Sequence, residues 1–304
     1  MVYSALKGRI GNNLFQIAAG ISLAKQNNTD FAACIQNIML PEPDYCLLSK
    51  YLTQFKDNIL RNIILLNEIP QGSIKYNEQE FSYDPIKYEN NILLDGYFQS
   101  EKYFDGNLIK NIFSIDETTK KYILGKFGHL FTGNITSINV RRGDFLMNPE
   151  NNPVCSVKYY FNAINYIGNR NYFLIISDDI QWCKKKFKGN NFFFIEDENP
   201  VVDLYLQSFC TNNIISNSSF SWWGAWLNGN PHKIVIAPRE NWFGVFQSHL
   251  NTKDLIPKEW VKISNPIEFS LRLRVFLSSF KKLLVSQKKR LKKYFISQVW
   301  KRFP

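Results

Sequence analysis

The sequence predicts an α/β protein built on a parallel, doubly wound sheet, and two features carry that prediction. From Thr136 onward, short apolar runs alternate with stretches whose apolar residues recur at helical spacing. That alternation is the rhythm of strand–helix–strand units. The chain also opens in the same order: an apolar run at Val2–Leu6, a glycine-containing turn through Asn13, then a helical pattern. With 304 residues, 45% of them hydrophobic and 15% aromatic, there is ample material to bury. Wholesale disorder is excluded, and the length allows two modest domains or one large one.

The first helix is marked by Leu14, Ile17, Ala18 and Ile21, which share one face. Residues 36–90 read as short helices mixed with loops, and Asn91–Asp95 as a short apolar run. The second half is more regular. Strands are expected at Ser137–Arg141, Tyr172–Ser177, Phe192–Glu196, Asn213–Ser216 and Lys233–Ala237. Helices are expected at Val157–Ile167, Ile180–Phe187, Val201–Cys210 and Phe220–Leu227. In such a sheet ligands bind beyond the carboxyl ends of the strands, so the polar residues just after each strand are where chemistry belongs.

Composition excludes several classes. The five cysteines (Cys34, Cys46, Cys155, Cys183, Cys210) are an odd number with no Cys-x-x-Cys, so no disulfide framework is expected and a reducing cytoplasm fits. His129, His232 and His249 form no ligand pattern, and no metal site is expected. No apolar run reaches the ~18 residues of a membrane span, and the first residues lack the marks of a secretory signal. The net charge of +11 is local. Eleven of the 37 basic side chains lie between Leu271 and Pro304, where there is no Asp or Glu, and the other 26 balance the 26 acidic ones. A nucleic-acid-binding reading of the pI near 9.3 fails on that neutral body.

Three segments carry chemistry. Asn139-Val140-Arg141-Arg142-Gly143-Asp144 follows a strand, and its guanidiniums suit an anionic group, because Arg grips phosphate oxygens with parallel hydrogen bonds and keeps its charge. The alternative is an ordinary Arg–Asp ion pair. Asn217-Ser218-Ser219-Phe220-Ser221-Trp222-Trp223-Gly224 opens a helix, where hydroxyls and backbone N–H groups form an anion site. A plain Ser cap explains one hydroxyl, and the two Trp are readable as core. In Ser177-Asp178-Asp179 one carboxylate accepts from a ribose or from guanine N–H groups, or simply caps the next helix. Gly8, Gly11 and Asn12 make a tight turn that matches neither a dinucleotide nor a phosphate-loop motif, and no Asp-x-Asp occurs.

In series, these segments resemble the bacterial α-1,2-fucosyltransferase family. The resemblance takes in Gly8–Asn13 with Phe15-Gln16, Gly96-Tyr97-Phe98-Gln99-Ser100, Val140–Asp144 and Ser177-Asp178-Asp179. It continues through Asn213-Ile214-Ile215, Asn217–Trp226 and Ile236-Ala237-Pro238, covering about residues 5 to 243. The first turn is also similar to that of protein O-fucosyltransferases. Two departures stand out: Asn139 where the family usually carries His, and Arg9 and Asn13 where Gly and Gln are commoner. Asn cannot act as a general base, so no catalytic role passes to Asn139.

The resemblance implies a GT-B-like enzyme with two Rossmann-like domains facing a cleft. Residues 1–133 would take the acceptor, residues 134–265 the GDP-sugar, and residues 266–304 would form a basic amphipathic helical tail. It implies inverting transfer of L-fucose from GDP-fucose to the 2-OH of a galactoside in O-antigen-type polysaccharide synthesis, with no cofactor and no essential metal. Arg141 would stabilise the leaving diphosphate, with Arg142 assisting or holding the loop. Ser218 and Ser219 would bind the diphosphate and Asp178 the guanosine end, with Asn217, Phe220 and Gly11 also among the substrate-binding residues and Asn12 contacting donor or acceptor. Asp144 is a candidate base or an orienting partner of Arg141. The alternatives are transfer of another deoxysugar and fucosylation of a protein.

In the tail, Phe280, Leu284, Leu291, Phe295, Val299 and Phe303 recur at helical spacing among Lys and Arg. Such a helix lies on an anionic membrane surface or packs on the enzyme body. The expected place is the cytoplasm, peripheral at the inner face of a bacterial membrane. There a galactose-terminated, lipid-linked glycan would be the acceptor, with no nucleic-acid partner.

Overall fold

The computed structural model describes residues 1–36, 38–40, 46–168, 171–244 and 249–266, together with Leu273 and Leu277. The expected tail lies almost wholly outside the described residues. All five positions of β1 (Val2–Leu6) are buried, and a strand covered on both faces belongs inside a parallel sheet. It pairs on one side with β2 (Phe31–Ile35), which carries β3 (Leu65–Leu66). On its other side lies β5 (Ile92–Asp95), which carries β4 (Ile74–Asn77). The order is β3-β2-β1-β5-β4, parallel throughout.

Between these strands run α1 (Ile10–Gln26) and α2 (Leu48–Lys56). The expectation of helices and loops alone over residues 36–90 is therefore corrected. β3 and β4 are edge strands of two and four residues, and no position of β4 is fully buried. Neither leaves an alternating apolar pattern to read.

After α3 (Gly106–Ile112) and α4 (Glu117–Phe127) the chain enters a second sheet. Its strands are β6 (Ile135–Val140), β7 (Tyr172–Ser177), β8 (Phe192–Phe194), β9 (Asn212–Ile214), β10 (Val235–Pro238) and β11 (Val261–Ile263). They are ordered β11-β10-β9-β6-β7-β8 and are again all parallel. The helices are α5 (Val157–Ile167), α6 (Ile180–Lys186), α7 (Pro200–Phe209) and α8 (Ser219–Trp226). β7 and α5 have the expected bounds, most of the others shift by a residue or two, and β11 is an addition. Local chemistry sets the helix starts: Ser156 accepts from the Tyr159 amide, and Asn199 from those of Val201 and Val202, with Pro200 opening α7.

In each sheet the direction in which the chain winds outward switches once, between β1 and β5 and between β6 and β9. Those reversals are where a doubly wound sheet leaves a crevice. In the first, Gln16 ties both strand ends together by donating to the carbonyls of Lys7 and Gly96 at 3.2 and 3.1 Å.

The largest hydrophobic cluster runs through both sheets. Phe15 of α1 lies 4.5 and 4.8 Å, centroid to centroid, from Trp222 and Trp223 of α8. Both indoles are fully buried. Their N–H groups donate to the Leu255 and Gly11 carbonyls at 2.9 and 3.0 Å. The two tryptophans are core, as their apolar bulk allowed.

Candidate active site

A cavity of about 940 Å³ lies beyond the carboxyl ends of β1, β5, β6, β7 and β9, and so draws its walls from both sheets. Its centre is the meeting of two helix N-termini. Neither α1 nor α8 has a side-chain cap at its start. The Ile10 amide donates to the Tyr51 hydroxyl at 3.1 Å. The first N–H groups of α8 carry the positive end of the helix dipole into the cavity.

Gly11 makes the meeting possible. A β-carbon there would lie 2.4 Å from the Phe220 amide nitrogen. Asn12, one residue on, bridges the halves: its Oδ1 accepts from Ser219 Oγ at 2.7 Å and from Gln99 Nε2 at 2.9 Å.

Opposite lies the Arg141–Asp144 turn at the end of β6. Nη1 of Arg141 pairs with Asp178 Oδ2 at 3.0 Å, and Nη2 donates to Asp144 Oδ1 at 2.6 Å. Arg9 Nη2, from the first turn of the other half, reaches Asp144 Oδ2 at 3.4 Å. Both Asp144 oxygens are thus engaged by guanidiniums.

Arg142 does not line the cavity. Its backbone N–H donates to Asp178 Oδ1 at 2.8 Å, its Nε donates to Asp179 at 3.0 Å, and its guanidinium lies 3.9 Å over Trp182. This is the geometry of a residue that holds the loop. Asp179 also caps α6 by accepting from the Trp182 amide. Asp178, expected on the guanosine, lines the cavity with Oδ2 paired to Arg141 and Oδ1 accepting from the Arg142 amide.

The Asn217 side chain is likewise engaged. It donates to the Pro153 and Trp242 carbonyls at 2.7 and 3.1 Å and accepts from the Cys155 thiol. Ser218, Ser219 and Phe220 line the cavity directly. Asn139 also reaches it, with Oδ1 accepting from Ser216 Oγ at 2.9 Å.

Asp203 of α7 lines the cavity and was absent from the sequence reading. Its Oδ1 is buried with no hydrogen-bond partner. Burial, reinforced by the nearby Glu198 carboxylate, pushes its carboxyl up to about 7. An acidic residue in a first helical turn is so ordinary that nothing in the local pattern marks it. Lys7, Arg9, Tyr97 and Gln99 complete the side of the cavity that faces α8 and Arg141.

Comparison with known proteins settles the class. The profile of glycosyl transferase family 11 matches residues 2–264. The chain belongs to that family. Its relatives within the family's reach include an alpha-1,2-colitosyltransferase of Escherichia coli, 29% identical over 86% of this chain and 99% of that one. The O-antigen biosynthesis glycosyltransferase WbnK of Escherichia coli is 27% identical over 86% of this chain and all of its own length. A putative galactoside 2-alpha-L-fucosyltransferase of Caenorhabditis elegans, svh-11, is 24% identical over 88% of this chain and 78% of its own. The family 11 match ends one residue past β11. This member of family 11 is a glycosyltransferase, and its two parallel sheets are those described above.

Proposed function

We propose that the protein moves L-fucose, or a close relative such as colitose, from a GDP-sugar to the 2-OH of a galactoside. The observation that carries this reading is Arg141, held by two carboxylates and lining the same cavity as the uncapped start of α8. A diphosphate between them would meet a forked guanidinium on one side and backbone N–H groups on the other. Two parallel sheets whose carboxyl ends face one cavity also fit the GT-B plan.

The departing diphosphate gains negative charge as the glycosidic bond breaks, and preoriented donors stabilise that charge. Arg141 and the α8 amides supply them, so turnover is expected without a divalent ion. Asp144 is engaged by Arg141 and Arg9 and serves to orient them. The guanosine end falls to Asp203 in place of Asp178, because its unpartnered oxygen needs the N–H donors that guanine's Watson–Crick edge offers. UDP would present one N–H there, and adenine an amino group beside an acceptor nitrogen.

The sugar is narrowed by the relatives' names, which specify 2-linked transfer of fucose or colitose and O-antigen synthesis. A lipid-linked acceptor and peripheral attachment to the inner membrane face through residues 271–304 complete the proposal.

The test is incubation of the full chain with labelled GDP- and UDP-sugars and lactose, with and without EDTA, followed by product analysis. Transfer from GDP-fucose or GDP-colitose that survives EDTA is expected. Transfer from UDP-sugars alone would overturn it.

A further inference from the structure

Three aromatic rings form one wall of the cavity. Phe81 stacks on Tyr97 with centroids 5.6 Å apart and planes 16° from parallel, and it meets Phe243 at 4.5 Å. All three line the cavity and none is fully buried. Phe81 follows β4, Tyr97 follows β5 and Phe243 follows β10, so the wall draws on both sheets.

The wall is built to stay in place. The Glu78 carboxylate accepts from the backbone N–H groups of Tyr97 and Phe98, at 2.5 and 2.9 Å. Gly96 gives that carboxylate room, since a β-carbon there would lie 2.4 Å from Glu78 Cβ. Past Phe81, the Tyr83 amide donates to Asp254 and the Asp84 amide to the Tyr103 hydroxyl, each at 3.1 Å. On the other side, Asn217 grips the Trp242 carbonyl beside Phe243.

At the end of the wall nearest α8 sits Gln99. It is 5% exposed, its Nε2 donates to Asn12, and its Oε1 has no hydrogen-bond partner. A buried amide oxygen in that state is costly unless a ligand supplies a donor. Apolar rings with one unmet acceptor beside them are the chemistry of a pocket that takes a molecule with one greasy face and a hydroxyl edge.

We infer that the wall of Phe81, Tyr97 and Phe243, ending at Gln99, is the acceptor subsite for a neutral pyranoside. A galacto-configured ring gathers its C3–H, C4–H and C5–H bonds on one face, and that face packs on the rings. The hydroxyl next to the reacting one donates to Gln99 Oε1. Asn12 then links the acceptor edge to Ser219 at the start of α8, so the accepting oxygen is held beside the leaving diphosphate. The inference rests on the proposed glycosyl transfer and names the half of the cavity that the donor leaves open.

The experiment uses the full chain loaded with GDP. Saturation-transfer NMR is recorded on methyl β-galactoside, methyl β-glucoside and lactose, and GDP affinity is measured by calorimetry on the same samples. Saturation concentrated on the galactoside H3, H4 and H5 protons is expected. Phe81→Ala and Phe243→Ala should each weaken galactoside binding about tenfold or more, the loss of a buried ring face, with GDP affinity within about twofold of wild type. Gln99→Leu should do the same.

No saturation of any of these sugars in a protein that binds GDP overturns the subsite alone. Equal weakening of GDP binding in the Phe81→Ala protein also overturns it, since the wall would then serve the nucleotide. Absence of GDP binding in the wild-type protein would instead remove the proposed function itself.

Discussion

Gly11 and Phe220 meet backbone to backbone, so that a β-carbon on the first would lie 2.4 Å from the amide nitrogen of the second. The Trp223 indole seals the contact by donating to the Gly11 carbonyl. A methyl group has no space there, because its nearest neighbours are the backbone of Ser219 and Phe220. Gly11→Ala is expected to cost about 3 kcal/mol of stability, the upper part of the range for overpacking. It should also abolish transfer in whatever folded protein remains. Urea denaturation and an activity assay on the folded fraction check both halves. A stable, active Gly11→Ala protein would show that the helices part easily.

Arg141 engages Asp144 and Asp178 through separate nitrogens, a fork that a lysine cannot reproduce. Arg141→Lys should lower kcat/KM by about 3–4 kcal/mol in transition-state terms, as the loss of an oxyanion donor does. Asp144→Asn keeps a hydrogen-bond acceptor beside Arg141 and should cost less. Steady-state kinetics of the two variants at saturating acceptor decide the order, and a larger loss for Asp144→Asn would return that residue to the role of base.

Asp203 is expected to link pH to both stability and GDP binding. Its carboxyl titrates at about 7 in the folded protein and at the ordinary 3.8 when exposed. Between those values the folded state holds the extra proton, so this group's contribution makes stability fall as pH rises from about 4 to 7 and then level off. Asp203→Asn removes that limb. It should be equal to wild type near pH 4 and more stable at pH 8, by roughly 1–3 kcal/mol, the usual penalty of an unsatisfied buried group. GDP affinity should move the other way, strengthening in the wild type as pH rises through 7 and losing that dependence in the variant. Thermal melts and calorimetry across the range test the pair, and a pH-independent GDP affinity in the wild type would refute the assignment.

The tail makes a separate prediction, and the fold moves its boundary. Asn265 is buried, with its Oδ1 accepting from the Ser156 amide at the start of α5 and its own N–H donating to Glu240. A cut at Ile263 would remove that anchor. A chain truncated after Pro266 should keep its melting temperature and its GDP affinity but cease to bind vesicles of anionic phospholipid. Vesicle co-sedimentation decides it, because undiminished binding would place the membrane contact on the body.

What was legible in the sequence was local. α5 and β7 are legible to the residue because Ser156 opens the helical pattern of α5 as its cap, and the apolar run of β7 ends just before the polar pair whose second member, Asp179, caps α6. β3 and β4 escaped because a short edge strand buries too little to leave a period. The Arg, Ser and Asp motifs were found, but the choice among them was not. Arg141 reaches Asp178 because the parallel register of β6 on β7 sets Val140 beside Ser177, a pairing between distant segments that no local motif announces. The tryptophans are core because α8 packs on α1, which leaves Trp222 and Trp223 no room to act as a platform.

The shared packing of α1 on α8 has a consequence for recombination between relatives. Phe15, Gly11 and Asn12 on one helix and Trp222, Trp223 and Ser219 on the other form one interlocking set. A hybrid that took residues before the second sheet from one parent and the rest from another would separate the members of that set. Crossovers inside the set should give insoluble progeny, whereas exchange of the outer strands β3, β8 and β11 leaves it whole. Diversification of acceptor choice in this fold is therefore expected to proceed by point changes along the cavity rather than by trading halves.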